Sequence, residues 1–146
     1  MLNLKQGYKA LLMAVLFCFN SSSVAAQFKN FGNQEVHYIA LPSTFLQPDV
    51  AKKYTIKRSK YNGVINISVL DKNTDNKALN AQVSGTGKNL LGQTHSLSFI
   101  EIKEGDSLYY IADYPFTNEE IVNFNITIKA QKKTSTLKFQ HKFYAD

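Results

Sequence analysis

A regular alternation of apolar and polar residues runs through the C-terminal part of the chain. In residues 122–128, every second residue is valine, phenylalanine or isoleucine, and the residues between them are asparagine or threonine. Successive side chains of a β-strand point to opposite faces, so this pattern predicts a half-buried strand. Residues 137–143 repeat it, and a polar link, Gln131 to Ser135, joins the two segments. The sequence therefore predicts a β-hairpin here.

Five further segments carry strand signals and are separated by turn residues such as Gly92 and Gly105. They are residues 35–41, 64–70, 81–86, 96–103 and 108–114. Seven short strands predict an all-β chain, folded as a single immunoglobulin-like antiparallel β-sandwich. Helix is predicted only for Pro48 to Tyr54, where proline pre-sets the first turn. Thr117 to Glu120 is predicted to form a single turn.

The first 26 residues have the layout of a signal peptide. Lys5 and Lys9 precede an apolar run over residues 10–19, which is too short to span a bilayer stably. Small residues then end at Ala26, so we predict cleavage between Ala26 and Gln27. An uncleaved anchor helix and a lipoprotein acylated at Cys18 are the alternatives. The predicted domains are a signal peptide, residues 1–26, and a β-sandwich, residues 27–146, located in the periplasm.

Cleavage at this position removes several kinds of chemistry from the mature chain. The full chain has 17 Lys and Arg against 11 Asp and Glu, and two lysines leave with the signal, so residues 27–146 carry (17 − 2) − 11 = +4. They contain no Cys, Met or Trp. Thiol catalysis, disulfides, cysteine zinc sites and methionine copper(I) sites are therefore excluded from the mature chain.

A basic segment is the strongest candidate for a functional site. Five bases occur within nine residues without an acid: Lys52, Lys53, Lys57, Arg58 and Lys60. Tyr54 and Tyr61 lie at the edges of this cluster. We predict that Lys57, Arg58, Lys60, Tyr54 and Tyr61 bind an anionic ligand, a lipid head group or an acidic protein surface. The alternative is a solvated lysine-rich connection that protects a strand edge. Nucleic acid is not an expected partner, because the other bases are dispersed.

Metal, cofactor and catalytic motifs are weak or incomplete. His37, His95 and His141 lie in three separate segments without ligand spacing, so neither a metal site nor a cofactor is predicted. The hydrolase elbow and the zinc-protease helix motif are missing from the sequence. Asp113 with Glu119 and Glu120 leaves open a paired-carboxylate site for hydrolysis of envelope glycans. No catalytic residue is assigned.

The chain resembles a family of small exported bacterial proteins known as a domain of unknown function. The resemblance covers nearly all of residues 27–146. It is carried by residues 31–38, 43–46, 48–51, 58–61, 66–72, 83–86, 89–93, 109–112 and 118–120. It implies a bacterial periplasmic setting and a compact β-domain, and it adds no mechanism.

The sequence as a whole predicts a non-enzymatic binding or accessory module. Its expected partner is an envelope protein or an anionic ligand, and no stable membrane span is expected after signal cleavage. A second hypothesis is an interaction module whose edge strand, Thr136 to Tyr144, pairs with an extended partner. The third and weakest is the glycan hydrolase.

Overall fold

The structure, a computed structural model, describes residues 27–145 as ten strands and one short helix. The strands are β1 (Gln27–Phe31), β2 (Gln34–Pro42), β3 (Asn62–Asp71), β4 (Lys77–Ala78), β5 (Gln82–Asn89), β6 (Thr94–Leu97), β7 (Ile100–Glu104), β8 (Ser107–Pro115), β9 (Glu120–Ala130) and β10 (Lys133–Phe143), and the helix is α1 (Pro48–Lys53). The predicted signal peptide lies outside the described residues. Within residues 27–145, no helix has the length and apolar character that a bilayer crossing requires.

The strands form two sheets of antiparallel pairs. One sheet has the order β1-β2-β3-β8-β7, with β4 paired to the end of β3, and the other has the order β10-β9-β5-β6. A shared core of buried side chains from both sheets lies between them. In β9, residues 122, 124, 126 and 128 are buried, as the alternation predicts. The predicted all-β fold with two packed sheets is thus confirmed.

The count of about seven strands is wrong, because the structure has ten. β1 and β4 were not predicted, and the segment predicted as one strand over residues 96–103 is divided into β6 and β7. The division is required because β6 and β7 belong to different sheets. The hairpin link is also shorter than Gln131 to Ser135. A two-residue turn, Gln131 and Lys132, suffices because both residues adopt positive φ angles of 53° and 60°.

An aromatic cluster fills the space between the sheets at one end. Phe143 stacks on Phe116 with ring centroids 4.6 Å apart, and Tyr114 meets Phe124 edge-to-face at 5.3 Å. Two glycines make room for these rings. A Cβ at Gly63 would lie 2.6 Å from the Phe143 ring, and one at position 87 would overlap Tyr114. The large rings therefore pack against positions that are occupied by glycine, which keeps the interior densely filled.

A polar network closes the opposite end. Asp71 is 4% exposed, and its carboxylate accepts hydrogen bonds from the side chains of Asn33 and Gln131, each at 3.0 Å. The fully buried Gln34 donates to the Ala130 carbonyl at 3.0 Å. These residues come from the β1–β2 turn, the end of β3 and the β9–β10 turn. The network therefore ties both sheets together.

The first and last strands meet along one side of the sandwich. Lys29 on β1 donates to the Lys138 carbonyl on β10 at 2.9 Å. Lys133 on β10 donates to the Phe31 carbonyl on β1 at 2.7 Å. Two lysine side chains thus bridge the edges of the two sheets and occupy backbone acceptors that would otherwise face solvent.

Gly87→Ala should destabilise the fold. The added methyl group would overlap the Tyr114 ring and lie 2.9 Å from Phe124, in a region where neither ring can move without disturbing the core. Overpacking of this kind costs about 1–3 kcal/mol, measured as the free energy of unfolding in urea. Gly105→Asn is the control, because no atom lies within 4 Å of its Cβ position and its φ of +60° is the left-handed value that asparagine adopts most readily among the larger residues. Equal stability of both variants would contradict the packing assignment.

Asp71 should make the fold sensitive to acid. The hydrogen bonds from the Asn33 side chain and the Asn73 backbone lower the pKa of the Asp71 carboxyl. The ionised Asp71 carboxylate therefore stabilises the fold at pH values above its pKa in the unfolded chain, which is about 4. This stabilisation is lost as the pH falls through the lower pKa that the carboxyl has in the folded protein. We expect Asp71→Asn to be less stable at pH 7 and to lose less stability on acidification, as measured by thermal unfolding at a series of pH values. Asp75→Asn, an exposed neighbour, should follow the unmodified protein; parallel curves for Asp71→Asn would refute the assignment.

Candidate functional site

The basic segment begins in the last turn of α1 and continues to β3 without regular secondary structure. α1 begins at Pro48, carries Asp49 in its first turn and has Lys52 and Lys53 in its last, which is the favourable arrangement for a helix dipole. The predicted helix is thereby confirmed. After it, Ile56 is 7% exposed and packs in a small core of its own with Ala51 and Val64. The backbone of the basic segment is therefore anchored in its middle.

Arg58 braces this segment against the preceding loop. Its Nε donates to the Leu46 carbonyl at 2.9 Å, and its second terminal nitrogen donates to the Thr44 carbonyl at 3.0 Å. Ser43 and Ser59 form a second tie, with the Ser43 hydroxyl donating to the Ser59 carbonyl at 3.1 Å and accepting from the Ser59 amide at 2.9 Å. The planar guanidinium thus binds two backbone oxygens of its own chain and shapes the loop.

The tyrosines do not cover the guanidinium. The Tyr54 hydroxyl is hydrogen-bonded to the Glu104 carboxylate, and Lys53 lies 3.3 Å from the same carboxylate. The hydrogen bond from Tyr54, reinforced by Lys53, lowers the pKa of Glu104, and the same bond raises the pKa of Tyr54. These three residues, of which Lys53 and Glu104 are exposed and Tyr54 is half-buried, link the end of α1 to the end of β7. Tyr61 instead lies beneath Lys60, whose Nζ is 5.2 Å from the ring centroid.

Three lysines of the segment remain available for contact. Lys52, Lys57 and Lys60 are exposed, and within the described chain none of them forms an ion pair with an acidic side chain. Lys57 contributes its carbonyl to a 2.8 Å hydrogen bond from the Asn62 side chain, which holds its backbone. The segment therefore presents unpaired positive charge on a well-fixed backbone.

Sequence reasoning did not identify the residues that fix the segment. Ser43, Thr44 and Leu46 come from the loop after β2, and Glu104 comes from a hairpin some fifty residues further along the chain. No motif marks them, because carbonyl acceptors and single carboxylates leave no spacing pattern.

A cleft of about 390 Å³ lies beside the basic segment. Its lining residues are Tyr54, Thr55, Ile56, Ser96, Ser98, Ile100, Ile111 and Asp113. The cleft thus brings together Tyr54 and Asp113, which the sequence analysis had assigned to separate candidate sites. Partial burial raises the pKa of the Asp113 carboxyl, and a hydrogen bond from Asn62 opposes that rise. A carboxylate beside four hydroxyl-bearing side chains and an apolar wall suits a small polar ligand.

The two glutamates proposed with Asp113 do not line this cleft. The Glu120 carboxylate accepts from the Asn89 side chain at 3.0 Å and from the Thr117 amide at 3.2 Å. Together with the 3.2 Å bond from the Glu120 amide to the Thr117 carbonyl, these contacts form the predicted single turn. Glu119 is exposed on that turn with a φ of 60°. Glu120 thus has a structural role at the end of the sandwich.

The three histidines occupy separate environments. His37 lies 2.5 Å from the Glu35 carboxylate, His95 packs edge-on against Tyr114, and the half-buried His141 packs on Phe143. Burial lowers the pKa of His141. Within residues 27–145, no three His, Cys, Asp or Glu side chains are close enough to share a metal ion.

Comparison with known proteins identifies the family. The profile of a family described as a domain of unknown function, DUF4426, matches residues 28–146. The chain belongs to the DUF4426 family. A crystal structure of a DUF4426 family protein from Pseudomonas aeruginosa PAO1 is 34% identical, with a TM-score of 0.75, and the match covers 83% of this chain and 96% of that one. The resemblance found in the sequence is therefore confirmed. A search of curated proteins gives no match.

More distant structures share the fold of this DUF4426 protein. A copper-bound variant of FetP from uropathogenic Escherichia coli strain F11 matches with a TM-score of 0.60 at 12% identity, covering 82% of this chain and 95% of that one. FetP as isolated, expressed in the periplasm of Escherichia coli, matches with a TM-score of 0.59 at 12% identity, covering 82% and 94%. At this identity the similarity shows the fold alone.

Arg58→Ala should loosen the basic segment without unfolding the protein. The variant loses both hydrogen bonds to the loop at residues 44–46, whereas the main core stays intact. We expect trypsin to cleave after Lys57 and Lys60 several-fold faster, because cleavage follows local opening, while the melting temperature changes little. Lys52→Ala, which lacks such bonds, is the matched control. Unchanged cleavage in Arg58→Ala would show that the brace does not hold the segment.

Proposed function

We propose that this DUF4426 protein is an exported, non-enzymatic binding module that contacts an anionic ligand or surface through its basic segment. The observation that carries the proposal is the combination of exposed, unpaired Lys57 and Lys60 with a backbone fixed by Arg58. A rigid binding loop loses little conformational entropy on binding, so such a loop favours recognition. Lys60 and Tyr61 present charge and an aromatic face side by side.

The proposed roles within the segment differ from one another. Lys57 and Lys60 supply the charge, and Tyr61 supplies an exposed ring. Arg58 is a positioning residue, since its donors are used by carbonyls of its own chain. Tyr54 lies between the segment and the cleft that contains Asp113. A polar group attached to the anionic ligand would enter that cleft.

We further propose that the mature protein is one immunoglobulin-like domain over residues 27–146 in the periplasm. The strand orders β2-β3-β8-β7 and β10-β9-β5-β6 support this, because they follow the A-B-E-D and G-F-C pattern of that fold with one extra strand beside C. The family match from residue 28 and the expression of FetP in the periplasm support export with cleavage between Ala26 and Gln27.

Copper binding is not part of the proposal, although a FetP variant binds copper. Residues 27–146 contain no Cys or Met, and each of the three histidines packs in a different environment. These residues do not fit the soft or clustered donor set that copper prefers.

Edge-strand pairing is the second candidate function. β10 is an edge strand of its sheet, as this hypothesis requires. However, Lys29 already donates a hydrogen bond to the Lys138 carbonyl on β10, so a partner strand would pair only beyond that point.

The glycan-hydrolase alternative is weaker. Asp113 lines the cleft, but neither of the two glutamates proposed with it does. The basic segment is therefore the better-supported site.

Inorganic polyphosphate provides a probe for the basic segment. In a titration of the isotope-labelled protein followed by nuclear magnetic resonance, we expect the largest amide shifts within residues 52–61. Raising the salt from about 50 to about 300 mM should weaken these shifts, because screening shortens the range of exposed charges. In Lys57→Gln/Lys60→Gln the shifts should fall several-fold.

The matched control is Lys129→Gln/Lys132→Gln, which removes the same charge from the opposite end of the sandwich. It should keep the wild-type response. Shifts that centre on the β9–β10 turn, or that survive in the Lys57→Gln/Lys60→Gln variant, would refute the proposed site.

A further inference from the structure

Most exposed large apolar side chains lie at one end of the sandwich. Seven such residues occur in the described chain, and five belong to this end: Phe45, Tyr61, Leu90, Leu91 and Tyr144. We call this set the apolar end. It is formed where β2, β5, β8 and β10 finish and where β3 and β9 start. Exposed apolar side chains concentrated in one region mark an interaction surface, whereas scattered ones do not.

The two leucines lie at the tip of a hairpin that holds them away from the protein. Leu90 is 69% exposed and Leu91 is 85% exposed. The buried Asn89 builds the turn, because its side-chain oxygen accepts from the Leu91 amide at 3.1 Å and from the Gln93 amide at 2.9 Å. Its nitrogen donates to Gln93 at 2.8 Å and to Glu120 at 3.0 Å. The exposure of the leucines is therefore a property of a fixed turn.

Aromatic rings and lysines lie at the same end of the sandwich as these leucines. Lys60 lies over Tyr61 and Lys142 over Tyr144, each with its Nζ 5.2 Å from the ring centroid. Lys88 is also exposed, directly before Asn89. Tyrosine and lysine side chains with an apolar body and a polar tip are typical of the boundary between water and lipid.

The shape of the apolar end favours a lipid surface over a protein partner. Its side chains come from separate parts of the chain, at residues 43–46, 61, 89–93 and 144. The depression between Phe45, Lys60 and Tyr144 has a volume of only about 40 Å³, about a tenth of the 390 Å³ of the cleft beside the basic segment. A bilayer surface deforms around several protruding tips at once, whereas a folded partner would need a matching cavity for each.

We propose that the apolar end docks onto a bilayer containing anionic lipid, with Leu90 and Leu91 entering the acyl-chain boundary and Lys60, Lys88 and Lys142 contacting lipid phosphates. The inference rests on the proposed function, because it identifies the anionic surface that the basic segment meets. Apolar insertion and electrostatic attraction act together in this arrangement, and each alone gives weak binding.

Vesicle co-sedimentation tests the proposal with the protein purified from its own cell envelope. Vesicles of phosphatidylethanolamine with one-quarter phosphatidylglycerol should carry the protein down, and vesicles of phosphatidylcholine should not. Leu90→Ser/Leu91→Ser should reduce the partition coefficient by at least about tenfold, because each buried leucine contributes that much. Its melting temperature should not change, since both side chains are exposed. Phe28→Ser, which changes an exposed apolar residue on β1 outside both the cleft and the apolar end, is the matched control and should sediment like the unmodified protein.

Three results would overturn the inference. Binding of polyphosphate without binding of anionic vesicles would leave the proposed function standing and remove the membrane. Equal sedimentation of the leucine variant and the unmodified protein would show that the leucines do not insert. Self-association that requires the leucines, with no vesicle binding, would assign the apolar end to a second copy of the chain.

Discussion

The packing of aromatic rings between the two sheets is the constraint on which the rest of the structure depends. Tyr114, Phe116, Phe124 and Phe143 fill one end of the sandwich, and this filling requires that positions 63 and 87 carry no side chain. The basic segment and the apolar end both emerge from strands that these rings fix in place. A dense aromatic interior deforms little, so the loops above it have a firm base. Ligand binding by these loops is therefore expected to depend on how tightly the aromatic rings pack beneath them.

The two ends of the sandwich differ in which side chains they expose. At one end, the side chains of Asp71, Asn33 and Gln131 are hydrogen-bonded to one another. At the other end, the chain satisfies its backbone through Arg58 and Asn89 while leaving lysines and leucines exposed. Hydrogen bonds thus fix the backbone at both ends, whereas most of the exposed large apolar side chains of the described residues lie at one end only. That asymmetry favours the apolar end as the contacting face.

Strands with clear alternation could be predicted from the sequence, and those without it could not. The long strands β2, β3, β8, β9 and β10 agree closely with prediction because burial on one face imposes a period of two. Four of the five residues of β1 are exposed, so its sequence shows no alternation of apolar and polar residues, and β4 is only two residues long. The break between β6 and β7 reflects a change of sheet, which the local pattern of apolar residues does not encode.

The candidate site could be predicted only in part. The charge of the basic segment was visible in the sequence, but the carbonyl partners of Arg58 were not. Leu90 and Leu91, two apolar residues just before Gly92 in a turn region, were the one available signal for the apolar end.

The lysine bridges between β1 and β10 join the beginning of the folded chain to its end. Lys29 and Lys138 are 109 residues apart, and Phe31 and Lys133 are 102 apart. A ribosome delivers the N-terminal strand first and the C-terminal strand last, so β1 has no partner across this side until synthesis of the whole domain is complete. Contacts of such sequence separation also slow folding, since a long loop must close before they form. One side of the sandwich therefore stays open until β10 is in place.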